Sequence, residues 1–253
     1  MDIEHISVSR KQTFDECPAR YKYRYHEKIV SLEPTPDYLI YGKIVHKVAE
    51  HYVKEQGKKD IGLVASEVLS GKILLEENSA SPPLPPAYKN KFPEHLKNVK
   101  NLSDRIGYDG HLEYDFLFDL DPPNNCFVKG FVDRLIIRGD KYFILDYKTT
   151  KKGFYRKTPN TIRKDLQLRC YARVLQKVFG AKAENIKAAL YYLEGGNLIA
   201  TKFTDESLIT AEQELLETYR NIKEMHPDDA YGRVSDGCRR CDYRKTCPFY
   251  SLT

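Results

Sequence analysis

Alternation of apolar and polar positions is clearest between Gly130 and Thr150, where two runs rich in Val, Ile, Phe and Tyr flank Arg138-Gly139-Asp140-Lys141. A Gly-Asp pair between such runs predicts a β-hairpin. Upstream, Leu112, Tyr114, Phe116, Phe118 and Leu120 alternate with His111, Glu113, Asp115, Leu117 and Asp119. That pattern predicts a half-buried strand, which residues 121–125 turn into the hairpin to give a three-stranded meander. Residues 186–193 and 198–203 flank Gly195-Gly196-Asn197 and predict a second hairpin.

Elsewhere the apolar residues fall at helical spacing. After the turn residues 33–37 come Ile40, Ile44, Val45, Val48, Ala49 and Tyr52. A helix is predicted over 61–75, a break at Ser81-Pro-Pro-Leu-Pro-Pro86, and a basic, partly helical stretch over 89–105. Residues 57–106 together read as a helical insertion packed on the core. Leu168, Tyr171, Ala172, Leu175 and Val178 give a helix over 165–179 its buried face, and 212–225 forms a last amphipathic helix. Near the N-terminus, Ser9-Arg-Lys-Gln12 reads as a capping box opening a short helix that Cys17-Pro18 interrupts. Residues 19–25 then alternate aromatic and basic side chains. They form either an amphipathic surface helix or a phosphate-contacting face with stacking rings. The sum is an α/β (α+β) fold, a central mixed sheet of about five strands flanked by helices, in a single domain spanning 1–253.

Composition narrows the class. The 253 residues suffice for a proper core, and the net charge of +5 permits a polyanionic partner without demanding one. No apolar run approaches the roughly 20 residues that span a bilayer, and the first residues lack a secretory core, so a cytoplasmic protein with no membrane partner is expected. No Gly-x-x-x-x-Gly-Lys-[Ser/Thr] occurs, so the chain carries no nucleotide-driven motor.

The hairpin concentrates charge. Asp146 and Lys148 are two positions apart on one strand and share a face, and Asp133 can sit opposite them. Clustered carboxylates need a cation, and oxygen ligands select Mg²⁺ or Mn²⁺. Lys148 is then placed to help activate an attacking water and to balance charge on a phosphoryl oxygen. The bland alternative is an exposed hairpin whose Asp-x-Lys is a surface ion pair. His46 lies beside the apolar stripe of its helix, on a line with Gly42 and Ala49, whose small size leaves room beside the imidazole. Gln167 and Tyr171 share a line on the 165–179 helix. Glu113 stands near the start of the first strand, at the border of the charged patch. Beyond Lys148, the basic loop of Lys151, Lys152, Arg156 and Lys157, with two aromatics, is placed to grip a phosphate backbone, although such runs are usually solvated.

The tail Cys238-Arg-Arg-Cys241-Asp-Tyr-Arg-Lys-Thr-Cys247-Pro248 brings three thiols into ten residues. Cys126 and Cys170 fall in a strand and a buried helix, as core residues do. Cys17, followed by Pro as Cys247 is, is the better fourth ligand. One lone Cys with a C-x2-C-x5-C tail suits an iron–sulfur cluster better than zinc, which favours paired knuckles. Its role would be to clamp residues 1–25 to residues 231–253.

Taken together, these motifs resemble the PD-(D/E)XK nuclease superfamily, specifically the iron–sulfur branch of RecB-like exonucleases that includes the AddB nuclease domain and CRISPR-associated RecB-like nucleases. The matching pieces are the segment from Ser9 to Pro18, the helical His46, Gly130 to Asp133, Asp146-Tyr-Lys148, Gln167 with Tyr171, and Cys238, Cys241 and Cys247. The resemblance runs from about residue 7 to 248 and leaves 57–106 outside. It implies a restriction-endonuclease-like core, with His46, Asp133 and Asp146 binding Mg²⁺ or Mn²⁺, Lys148 assisting the water, and Gln167 and Tyr171 shaping the site. It also implies a 4Fe-4S cluster on Cys17, Cys238, Cys241 and Cys247. The expected activity is metal-dependent exonucleolytic cleavage of single-stranded DNA or duplex ends, with a helicase, recombination or CRISPR protein as partner. The alternative is a non-catalytic iron–sulfur DNA-binding subunit of a larger complex.

Overall fold

The computed structural model describes residues 1–76, 81–150 and 156–250, and Lys151 and Lys152 of the predicted basic loop lie outside them. In chain order the elements are α1 (Val8–Glu16), α2 (Pro18–Tyr21), α3 (Asp37–Lys54), α4 (Ile61–Leu69), α5 (Phe92–Ile106), β1 (His111–Asp121), β2 (Cys126–Arg138), β3 (Lys141–Lys148), α6 (Leu166–Phe179), β4 (Ile186–Tyr192), β5 (Asn197–Lys202) and α7 (Asp205–Glu224). The strands form one sheet in the order β1-β2-β3-β4-β5. Strand β2 runs antiparallel to β3, β3 parallel to β4, and β4 antiparallel to β5. The sheet is therefore mixed, in the α/β, restriction-endonuclease-like arrangement expected. A parallel step cannot be closed by a tight turn, and α6 supplies the crossover between β3 and β4. The β2–β3 hairpin turns where Gly139 takes φ +60°, with Arg138 opposite Lys141.

The chain divides into two compact units. One comprises Thr35–Tyr114 and Phe131–Asp205. Its core joins α3 (Tyr41, Ile44, Val45, Val48), α4 (Val64, Val68) and α5 (Val99, Leu102) to Leu145, Tyr147, Ala189 and Tyr191 of β3 and β4. Burying each such Leu, Ile or Val contributes roughly 1.5–3 kcal/mol. Residues 57–106 thus supply two helices of this core. Helix α4 stops at Leu69 instead of reaching residue 75, because Gly71 turns the chain at φ +77°.

The other unit comprises Met1–Pro34, Asp115–Gly130 and Glu206–Thr253. Its α1 is capped by Ser7, whose hydroxyl accepts from the Arg10 amide at 3.2 Å, and the expected cap Ser9 lies one residue inside the helix. Pro18 opens α2 at the first helical position, where its missing N–H costs nothing. Residues Lys22–His26 wind as a π-helix, which their aromatic and basic alternation does not disclose. Helix α7 begins at Asp205, seven residues before the predicted start at 212. No helix among the described residues is long and apolar enough to cross a membrane.

Candidate active site

The predicted residues of the charged patch all lie in the first of these units. His46 is carried by α3, whose N-terminal turn follows Pro36 and contains Asp37. A Cβ on Gly42, one turn before His46, would meet only Thr149 Oγ1, at 3.9 Å, so the space foreseen beside the imidazole exists. His46 Nδ1 lies 3.3 Å from Asp133 Oδ1. The other carboxylate oxygen of Asp133 accepts a 2.6 Å hydrogen bond from the Tyr147 amide, so β3 fixes the orientation of a carboxylate on β2.

Asp146 is almost wholly buried, and its Oδ2 lies 2.7 Å from Lys148 Nζ. That ammonium also donates to Gln167 Oε1 at 3.3 Å, and Gln167 Nε2 donates to Tyr171 Oη at 2.7 Å. Both helical residues therefore face the strand residues, as their shared line predicts. Asp165 sets the start of α6 by accepting from the Leu168 amide at 3.1 Å, which places Gln167 in the first turn.

From its place near the start of β1, Glu113 is expected only at the border of the charged patch. One ligand atom each from His46, Glu113 and Asp133 lies within 4.8 Å of the others. This is the one such group among the described residues, and it takes Glu113 where Asp146 was expected. Glu113 adopts φ +44°, a left-handed conformation that side chains rarely take within a strand. Alternation alone could not reveal it, because a backbone reversal of this kind redirects the side chain while leaving the apolar pattern intact. The useful signal was an acidic residue in a strand that pairs directly with the hairpin.

Electrostatics explains why these groups call for a cation. Burial, with Asp133 adding to it, pushes the Glu113 carboxyl up to about 7. Burial likewise raises Asp146 to about 6 against the opposing pull of Lys148. At His46 burial opposes protonation, yet the Asp133 carboxylate prevails and pushes the imidazole up to about 9. Burial and His46 compete in the reverse sense at that partner, where His46 holds the Asp133 carboxyl below its ordinary range. Lys148 is raised because Asp146 outweighs its burial. One imidazole nitrogen and two carboxylates, of which Glu113 lacks a counter-charge, make a donor set that fits a divalent cation, which would take the place of the proton that Asp133 holds on His46.

Arg156 donates to Thr150 O at 3.1 Å and Glu194 O at 2.7 Å, and its guanidinium lies 4.8 Å from the centre of the Tyr192 ring. Lys157 lies 3.6 Å from Asp165 and keeps 42% of its side chain exposed, so of these two it is the one presented to solvent. Cys17, Cys238, Cys241 and Cys247 belong to the other unit and are partly buried. Arg233 N donates to Cys17 Sγ at 3.4 Å, Ser235 N donates to Cys238 Sγ at 3.4 Å, and burial, with Cys247 and Cys17 adding to it, pushes the Tyr23 hydroxyl up to about 12. No three of the thiols among the described residues come within 4.8 Å of one another, so the expected four-cysteine cluster joining the termini is not shown. Cys126 and Cys170 are buried, and burial pushes both thiols up to about 12, in keeping with core roles.

Known proteins resemble this chain to different extents. A family model described as the PD-(D/E)XK nuclease superfamily matches residues 5–248. One component of an ATP-dependent helicase/nuclease from Pelotomaculum thermopropionicum is 36% identical over 75 residues, which is 30% of this chain and 6% of that protein. The alignment thus spans only a small part of that relative. A crystal structure of a candidate exonuclease from Eubacterium rectale superposes with a TM-score of 0.51 at 15% identity, covering 94% of this chain and 88% of that one. At that identity the likeness concerns the fold.

Proposed function

We propose that this chain, which belongs to the PD-(D/E)XK nuclease superfamily, is a divalent-metal-dependent exonuclease acting on single-stranded DNA or on duplex ends. The observation that carries the reading is the adjacency of two groups: His46, Glu113 and Asp133 gathered within 4.8 Å, and the buried Asp146–Lys148 pair at 2.7 Å on the neighbouring strand. Mg²⁺ or Mn²⁺ held by His46, Glu113 and Asp133, with Asp146 alongside, would neutralise the scissile phosphate and make water a stronger nucleophile. Asp133 is pre-oriented for that duty by the Tyr147 amide. Lys148, kept as an ammonium by Asp146 and steadied by Gln167, is positioned to donate to the phosphoryl oxygen on which charge develops. Tyr171 holds the far end of Gln167 and so fixes the direction of its oxygen. Lys157, with Lys151 and Lys152, is the proposed phosphate grip.

In the other unit we propose that Cys17, Cys238, Cys241 and Cys247 hold a 4Fe-4S cluster. The spacing of one lone Cys with a C-x2-C-x5-C tail supports a cluster over zinc, which favours paired knuckles. These 253 residues hold no Gly-x-x-x-x-Gly-Lys-[Ser/Thr], so unwinding would need a motor outside them, and the relative's name, which joins helicase to nuclease, supports a helicase in that role. Digestion of DNA labelled at either end, single- or double-stranded, tests the reading. Stepwise release of mononucleotides or short oligonucleotides from an end is expected, whereas cleavage of closed circles at an equal rate would replace exonuclease by endonuclease.

A further inference from the structure

We propose that Arg134, backed by Arg138, is a positioning residue for Glu113, acting through the turn between α5 and β1. The inference rests on the reading of Glu113 as a ligand of the cation. Arg134 is fully buried and directly follows Asp133 on β2. A buried guanidinium is costly unless its donors are engaged, and the engaged ones go to main-chain carbonyls of one short segment. Its Nη2 donates to Gly107 O at 2.6 Å and Asp109 O at 2.8 Å, and its Nε to Asp109 O at 3.2 Å. Arg138, at the end of the same strand, takes the same segment from outside, with Nε and Nη2 at 2.9 and 2.8 Å from the two Asp109 carboxylate oxygens and Nη2 donating to Ile106 O at 2.8 Å.

The segment has little freedom left. Gly107 and Gly110 take φ +92° and +120°, and a Cβ on Gly110 would stand 2.7 Å from Leu135 O, so the turn is pressed onto the backbone of β2. Three residues later Glu113 holds φ +44°. Such a conformation persists only where the surroundings impose it. The two arginines make the hairpin that bears Asp133 and Asp146 also dictate where β1 begins, and so where the Glu113 carboxylate points.

The test is a double-mutant cycle on the full chain, read as Mn²⁺ affinity by calorimetry beside the melting temperature in EDTA. Arg134→Lys and Arg138→Gln are each made with Glu113 intact and with Glu113→Gln. Each is expected to weaken Mn²⁺ binding about tenfold when Glu113 is present, in the range of outer-shell substitutions, and to add less than a twofold loss when it is absent. Arg138 keeps 60% of its side chain exposed, so Arg138→Gln carries the test if Arg134→Lys does not fold. Equal losses in both backgrounds, or none in either, overturn the positioning role alone. An unchanged affinity in Glu113→Gln itself overturns the ligand reading and this inference with it.

Discussion

Lys148 Nζ lies 2.7 Å from Asp146 Oδ2, its neighbour but one on β3, and the ion pair is sealed from solvent on the carboxylate side. The pair stands outside the group formed by His46, Glu113 and Asp133. In the proposed mechanism Lys148 stabilises charge and is not a cation ligand. Lys148→Met is expected to lower kcat by about 10²–10³ while leaving Mn²⁺ affinity within about threefold, because no cation ligand is removed. Calorimetry and single-turnover cleavage on the same preparation check this.

Metal uptake should displace a proton from His46. Asp133 keeps the imidazole protonated to about 9 despite its burial, whereas a metal ligand must be neutral. About one proton per Mn²⁺ is expected to leave at pH 8, and affinity should rise about tenfold per pH unit between roughly pH 7.5 and 9, and more steeply below pH 7, where Glu113 must lose its proton too. Titration in buffers of different ionisation enthalpy measures the release, and His46→Ala should lose it.

Glu113 gives a pH-dependent stability of definite sign. Its folded-state value, raised by burial to about 7, lies above that of the unfolded chain, so its contribution is present at low pH and lost as pH rises through 7. In EDTA at pH 8, Glu113→Gln should melt higher than wild type, on the order of 2–4 °C. The difference should vanish by about pH 4. Saturating Mn²⁺ should reverse the order, since the wild type gains more from binding. Differential scanning fluorimetry across pH checks both statements.

Much of this was legible in the chain. The alternation around Gly139 specified the hairpin, and the helical spacing of Gln167 and Tyr171 placed both toward Lys148. Periodicity reports which face is buried, so it succeeds where backbone geometry is regular. It failed at Glu113, where φ +44° departs from the strand, and at Lys22–His26, where a π-helix changes the angular step. Helix ends also escaped: Ser7 and Ser9 are both able caps, and the choice of Ser7 depends on where the backbone turns. That Lys148 pairs with Asp146 follows from their places two apart on one strand, whereas the reach of Glu113 to His46 and Asp133 depends on the fold.

Anaerobic purification should yield a brown protein carrying iron and sulfide, with Cys17→Ala and Cys247→Ala each losing the colour. A colourless protein containing stoichiometric zinc would replace the cluster with a single-ion site. Elemental analysis beside the visible spectrum distinguishes the two.

The central claim is that the hairpin and its helices form a working nuclease site. Its most direct measurement is cleavage of 5′- and 3′-end-labelled single- and double-stranded DNA by wild type and Lys148→Ala, with Mg²⁺, with Mn²⁺ and with EDTA. Wild type should degrade DNA only when the cation is present, and Lys148→Ala should not. Equal inertness of the two proteins under every condition, or equal cleavage in EDTA, would contradict it.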